Sequence, residues 1–341
     1  MKLTIKRKNS KICDKRNYME VFLDQKHNGL LKGKKPTKYF CSLESKNFTI
    51  KIIPKIQKEN SDLITAQKEI LKEVKNFYQD LYSSKSKESD LLKHFNDDFK
   101  NINVPKLSHT ESDKLEGPIT LQEASSVLKN MKNEKSPGSS GFTSEFYKVF
   151  WKSIGPFLVR SLNLSLESGQ LSVTQRQGII TCIPKGDKPR QFLKNWRPIT
   201  LLNTSYKIAS GVIAHRIKQH LETLIDPDQT GFVLGRYIGE NSLILYDLMK
   251  MTEDKNIQGL LLFIDFEKAF DSISWKFLQK VLQLFNFGPS IQKWVNVFYK
   301  NIMSAVNQGD ICLNFSKSKG DVDKGTLSLC IYLSSVLKYW L

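Results

Sequence analysis

Several absences narrow this chain first. No apolar run approaches the roughly 20 residues that a membrane-spanning helix needs. The longest, residues 260–264, has the length of a strand. Residues 1–8 are basic and hold no apolar stretch, so a secretory signal peptide is not expected. Cysteine is scarce and scattered, at 13, 41, 182, 312 and 330, with no CxxC pair. That pattern indicates neither a zinc site nor a disulfide framework, and a reducing compartment is the default. No internal repeat is visible. Carboxylates are outnumbered, with 34 Asp and Glu against 52 Lys and Arg, for a net charge of +18. What is present is ordinary globular material, 40% hydrophobic and 25% charged, which excludes a disordered or collagen-like chain. A length of 341 residues suggests two or three compact units.

The positive charge is concentrated. Residues 1–50 carry +9 and residues 151–200 carry +6, which is 15 of the 18 net charges. A localised basic excess reads as the footprint of a polyanion, with nucleic acid the leading partner. A solvated basic surface is the plainer reading of the first window. In the second, the cations alternate with Pro, Gly and Trp in an ordered-looking loop.

Periodicity and turn chemistry place the elements. Residues 1–60 read as a loosely packed arm with some helix. Ile70, Leu71, Val74, Phe77, Tyr78 and Leu81 share one face and predict a helix over 66–82. Residues 83–110 are polar and read as a linker. Thr120-Leu121-Gln122-Glu123 is a capping box that opens the next helix. Ser136-Pro137-Gly138-Ser139-Ser140-Gly141 is a shaped turn. Helices are expected over 143–168, 206–225, 240–252, 274–286 and 290–301. A strand is expected at 177–184, running into a basic loop, and a hairpin at 303–316. Residues 259–265 form an apolar run closed by a carboxylate, which suits a strand buried on both faces.

Asp265 is the most informative residue. A carboxylate at the end of a buried strand is costly unless a cation or a catalytic role compensates it. Mg²⁺ accepts a carboxylate, waters and substrate phosphates together, as phosphoryl transfer requires. A turn cap is the bland alternative. The segment around it, Phe263-Ile264-Asp265-Phe266-Glu267-Lys268-Ala269-Phe270-Asp271, resembles the first catalytic-Asp motif of reverse transcriptases of non-LTR (LINE-type) retrotransposons. Four further stretches resemble that family in the same order. They are residues 32–40 (K-G-K-K-P-T-K-Y-F), 135–147 (K-S-P-G-S-S-G-F-T-S-E-F-Y), Ile183-Pro184-Lys185 with 195–203 (N-W-R-P-I-T-L-L-N), and 228–236 (D-Q-T-G-F-V-L-G-R).

The resemblance implies an α+β right-hand polymerase with fingers and a partial palm, a helix-rich N-terminal region and no thumb. It divides the chain into a basic extension and linker, 1–110, and a polymerase region, 111–341. It implies that Asp265 binds Mg²⁺, with the backbone carbonyl of Phe266 facing a second metal. Phe270 would block a ribose 2′-OH, although a core aromatic is its plainer reading. Arg197 would grip the incoming triphosphate through its planar fork. Lys185 would assist or be mere surface charge. Lys188, Arg190 and Lys194 would contact template phosphates. The implied partners are an RNA template, a DNA primer or RNA–DNA hybrid, and deoxynucleotide triphosphates, with no membrane. The implied setting is an intracellular ribonucleoprotein, nuclear or cytoplasmic.

The match weakens toward the end. Where the family has R-G-x-R-Q-G-D-P-L-S-P, residues 319–329 keep Gly320, Leu327 and Ser328 but place Asp323 for Gln, Lys324 for Gly and Thr326 for Pro. No Asp-Asp pair follows Asp265. The chain is therefore expected to be a truncated piece of a retrotransposon polyprotein, inactive alone in DNA synthesis. A non-catalytic nucleic-acid-binding remnant is the alternative from a different class, and a translated pseudogene a third.

Overall fold

The computed structural model describes residues 52–58, 62–82, 104–230, 233, 235–264, 275–308, 311–312 and 316–317. Strands β1 (Ile56–Gln57) and β2 (Leu63–Ile64) come first, then helices α1 (Gln67–Tyr82), α2 (His109–Lys114), α3 (Leu121–Asn130) and α4 (Ser144–Ser168). Strand β3 (Gln177–Pro184), a 3-10 turn (Leu193–Asn195) and strand β4 (Trp196–Leu202) follow. Helices α5 (Thr204–Lys218), α6 (Leu221–Leu224), α7 (Gly239–Asp254), α8 (Trp275–Leu284) and α9 (Pro289–Tyr299) precede strands β5 (Met303–Gln308), β6 (Ile311–Cys312) and β7 (Ser316–Lys317). The mixture is α+β, as expected.

The chain folds as two compact units. The first combines the described residues through Lys75 with those of Ile179–Ile199 and Ser304–Ser316. Its sheet runs β4-β3-β5-β6, with β7 also against β5. β3 suits a central position because its β-branched pair Ile179 and Ile180 and the following Cys182 are all buried. β5 and β6 form the hairpin expected at 303–316, in the register Gln308↔Ile311. β1 and β2 pair antiparallel, with Ile56 opposite Ile64. Ile53 and Ile56 are buried, as are Ile70, Leu71 and Val74 on α1. Of the stretch 1–60, read as a loose arm with some helix, only 52–58 are described, and there Ile53 and Ile56 are buried and Ile56–Gln57 form a strand.

The second unit comprises the described residues within Asn76–Gly178 and Thr200–Met303. Its axis is α5, buried along nearly its whole length. Gly211 lets α3 approach, since a Cβ there would lie 2.7 Å from Val127. On α9, Trp294 stacks on Phe298 at 5.4 Å, and Tyr206 of α5 meets the same ring edge-on at 5.4 Å. α4 opens on Thr143 and ends at Gly169, whose φ of 71° is the left-handed cap that glycine adopts freely. The capping box expected at Thr120 and Glu123 is present. A second one was missed. Ser108 and Glu111 cap α2 inside the stretch read as a linker, and Leu107 beside them is buried. Polar composition hid a helix start there, because Ser, Thr and Glu serve caps as well as loops.

The largest correction concerns residues 259–265. The described part, 259–264, forms no strand. Leu260, Leu262, Phe263 and Ile264 are 69–91% exposed, and α7 just before them buries no residue. An apolar run becomes a strand only when neighbours satisfy its backbone and cover its side chains. None of the described strands pairs with it. The reading as a central palm strand is therefore withdrawn.

Candidate nucleic-acid interface

The site begins at the C-terminal end of β3. There the chain leaves the sheet at Lys185 and returns in β4 at Trp196. Between them it carries Lys188, Arg190 and Lys194, with Arg197 just after, all exposed, and one exposed carboxylate, Asp187. Like charges on a short loop repel one another, so the loop needs internal ties. It has several. The Lys185 N–H donates to the Asn195 carbonyl at 2.8 Å, closing the neck. The Lys185 ammonium donates to the Lys194 carbonyl at 2.8 Å. The Asn195 side chain donates to the Pro189 carbonyl at 2.8 Å, and the buried Trp196 indole donates to the Arg190 carbonyl at 2.8 Å. Gly186, at φ 54°, supplies the left-handed turn.

Among the described residues, no hydrogen-bond or ion-pair partner reaches the side chains of Lys188, Arg190 or Arg197. Lys194 lies 5.6 Å from the Phe192 ring centre. The loop therefore presents a tied backbone and exposed cations. Lys185 differs from the others. It is half-buried and already holds the loop together, so its first task is structural.

Two other expected motifs prove to be joints in the second unit. In the turn at 136–141, a Cβ on Gly138 would lie 2.4 Å from the Asn203 backbone nitrogen, so glycine is required. Asn203 is 1% exposed. Its Oδ1 accepts from the Ser140 N–H at 2.9 Å, and its Nδ2 donates to Ser139 Oγ at 3.2 Å and the Thr174 carbonyl at 2.6 Å. In the stretch 228–236, the Arg236 guanidinium donates to the carbonyls of Glu222, Ile225, Asp226 and Gln229 at 2.5–3.2 Å. It closes the loop that follows α6.

Arg216 on α5 was not singled out by the sequence. Its guanidinium meets the Glu123 carboxylate at 2.7 and 2.9 Å and the carbonyls of Leu115, Gly117 and Pro118 at 2.8–3.0 Å. Burial alone would raise the Glu123 carboxyl, but the bonds from Arg216 and Thr120 outweigh it and hold it below its ordinary value. The arrangement is a structural lock between α3 and α5.

Asp265, Phe266 and Phe270 lie outside the described residues, as do 32–40 and 319–329. Among the described residues no group of three or more His, Cys, Asp or Glu could hold a metal ion. No described helix is long and apolar enough to cross a membrane.

Residues 183–320, which include the basic loop, match the family described as reverse transcriptase (RNA-dependent DNA polymerase). The chain is 33% identical over 263 residues to the Transposon TX1 uncharacterized 149 kDa protein of Xenopus laevis, covering 77% of this chain and 20% of that protein. The chain belongs to the non-LTR (LINE-type) reverse transcriptases. This reverse-transcriptase chain is also 26% identical over 159 residues to a retrovirus-related Pol polyprotein from type-1 retrotransposable element R1 of Bradysia coprophila, covering 46% of this chain and 16% of the polyprotein. It is 28% identical over 173 residues to the probable RNA-directed DNA polymerase from transposon BS of Drosophila melanogaster, covering 49% and 19%. It spans about a fifth of the length of these relatives.

Proposed function

We propose that this chain supplies the nucleotide- and template-gripping part of an RNA-directed DNA polymerase, acting on an RNA template, a DNA primer and deoxynucleotide triphosphates. Residues 111–341 form the polymerase region, with fingers and part of a palm, and 1–110 a basic extension. The observation that carries this reading is the tied loop at 185–197, which exposes Lys188, Arg190, Lys194 and Arg197 inside the family-matched segment.

The roles divide by chemistry. Arg197 offers a planar fork that binds two phosphate oxygens at once, suited to the triphosphate. Lys188, Arg190 and Lys194 act as charges along a template backbone, which gives affinity without sequence preference. Lys185 positions the loop. Asp265 and the carbonyl of Phe266 would hold divalent metal, which when bound neutralises charge developing on the transferred phosphoryl group. The Phe270 ring would exclude a ribose 2′-OH.

The test is binding of a DNA primer annealed to RNA and of deoxynucleotides, with Mg²⁺. Arg197→Ala removes a charged hydrogen-bond donor, typically about 1.5–3 kcal/mol. Nucleotide affinity should fall by roughly ten- to a hundred-fold, while affinity for the hybrid changes little. Nucleotide binding indifferent to Arg197→Ala, or Mg²⁺-dependent nucleotide binding unchanged in Asp265→Ala, would contradict these assignments.

A further inference from the structure

The ties described above bind the basic loop to itself. One further set binds it to something outside. The Gln57 N–H donates to the Gln191 carbonyl at 2.9 Å. In return, Gln191 Nε2 donates to Gln57 Oε1 at 2.8 Å. Both side chains are half-buried, where a hydrogen bond meets less competition from water. Gln57 belongs to β1 and precedes Gln191 by 134 residues, upstream of the family-matched segment.

The β1–β2 hairpin is built to offer this contact. Strand alternation turns Ile56 inward, where it is 2% exposed, and leaves Gln57 on the other face. Ile56 is paired with Ile64, and Ile53 is buried as well, so Gln57 sits on an anchored base. Two hydrogen bonds, one through the backbone and one through the side chains, fix both the position and the twist of Gln191. Gln191 lies between Arg190 and Lys194, at the middle of the cationic loop. A preorganised loop binds its ligand without first losing conformational freedom.

We infer that the β1–β2 hairpin is a positioning element for the basic loop, acting through the amide clasp between Gln57 and Gln191. The inference rests on the reading of that loop as a phosphate grip. It assigns a task to residues 52–58 and 62–64 that neither the sequence nor the family match indicates.

The experiment compares Gln57→Met, Gln191→Met and the double variant with the wild-type chain. Methionine keeps length and removes the amide. Hydrogen–deuterium exchange is read at the amides of Lys185, Lys188 and Asn195, which are hydrogen-bonded within the loop. Each single variant should speed exchange there about five- to twenty-fold, leaving α5 unchanged, and the double variant should do no more than the stronger single one. Gln57→Glu keeps an acceptor for Gln191 Nε2 and should restore wild-type protection. Loop exchange unchanged in both single variants, effects that add in the double variant, or Gln57→Glu behaving like Gln57→Met would each overturn the clasp. A binding titration of the same variants with single-stranded RNA separates the two layers of the argument. Faster loop exchange with unaltered RNA affinity would leave the clasp standing and remove the loop from the nucleic-acid contact.

Discussion

At the residue scale, single polar side chains do most of the joining. Asn203 is the clearest case, because one buried amide satisfies Ser139, Ser140 and Thr174 together. Replacing it removes three part-buried hydrogen bonds, each worth about 0.5–1.5 kcal/mol net. Asn203→Ala should therefore lower unfolding free energy by about 2–4 kcal/mol, measured by urea denaturation. A loss under about 1 kcal/mol would show that water replaces the amide. The sequence offered little warning of this role. It displayed Asn203 at the end of a family motif and Ser139 in another, but the two lie 64 positions apart. Gln57 and Gln191 were hidden for the same reason. Hydrogen bonds between distant polar residues leave no periodic trace, and nothing in composition distinguishes them from surface glutamines.

At the element scale, legibility depended on whether a pattern was local. The helices α1, α4, α8 and α9 were readable because their apolar positions repeat every three or four residues. The Thr120 capping box was readable because it spans four residues. The run at 259–264 misled for the opposite reason, since strand formation depends on partners that the run itself does not specify. The joint between α3 and α5 adds a measurable consequence. The Glu123 carboxyl is held below its ordinary value of 4.5 in the folded protein. A depressed carboxyl stabilises the fold above that value and loses its contribution as pH falls through the folded pKa. Arg216→Met leaves the carboxylate without its buried cation and should cost about 3 kcal/mol at neutral pH. The variant should also lose less of its remaining stability between neutral pH and pH values below 4.5, because Glu123 then keeps only the Thr120 bonds to hold it down. Parallel stability–pH curves for variant and wild type would show that the pair is not the source.

At the scale of the whole molecule, the net charge of +18 and the tied basic loop support the proposal that this chain holds nucleic acid through its phosphates. The family assignment agrees with that, and the residues implied for metal and sugar selection, Asp265, Phe266 and Phe270, extend it toward polymerisation. The most direct measurement is the affinity for a single-stranded RNA and for an RNA–DNA hybrid across a series of salt concentrations. The comparison is wild type against Lys188→Gln/Arg190→Gln/Lys194→Gln, with Lys185 left in place to keep the loop tied. Log affinity should fall linearly with log salt. On single strands the triple variant should be shallower by about 2, since each lost phosphate contact removes about 0.7 from the slope. The account predicts that difference with no change in thermal stability. An identical slope in wild type and variant would mean that the loop does not touch the phosphate backbone, and the central claim would fail.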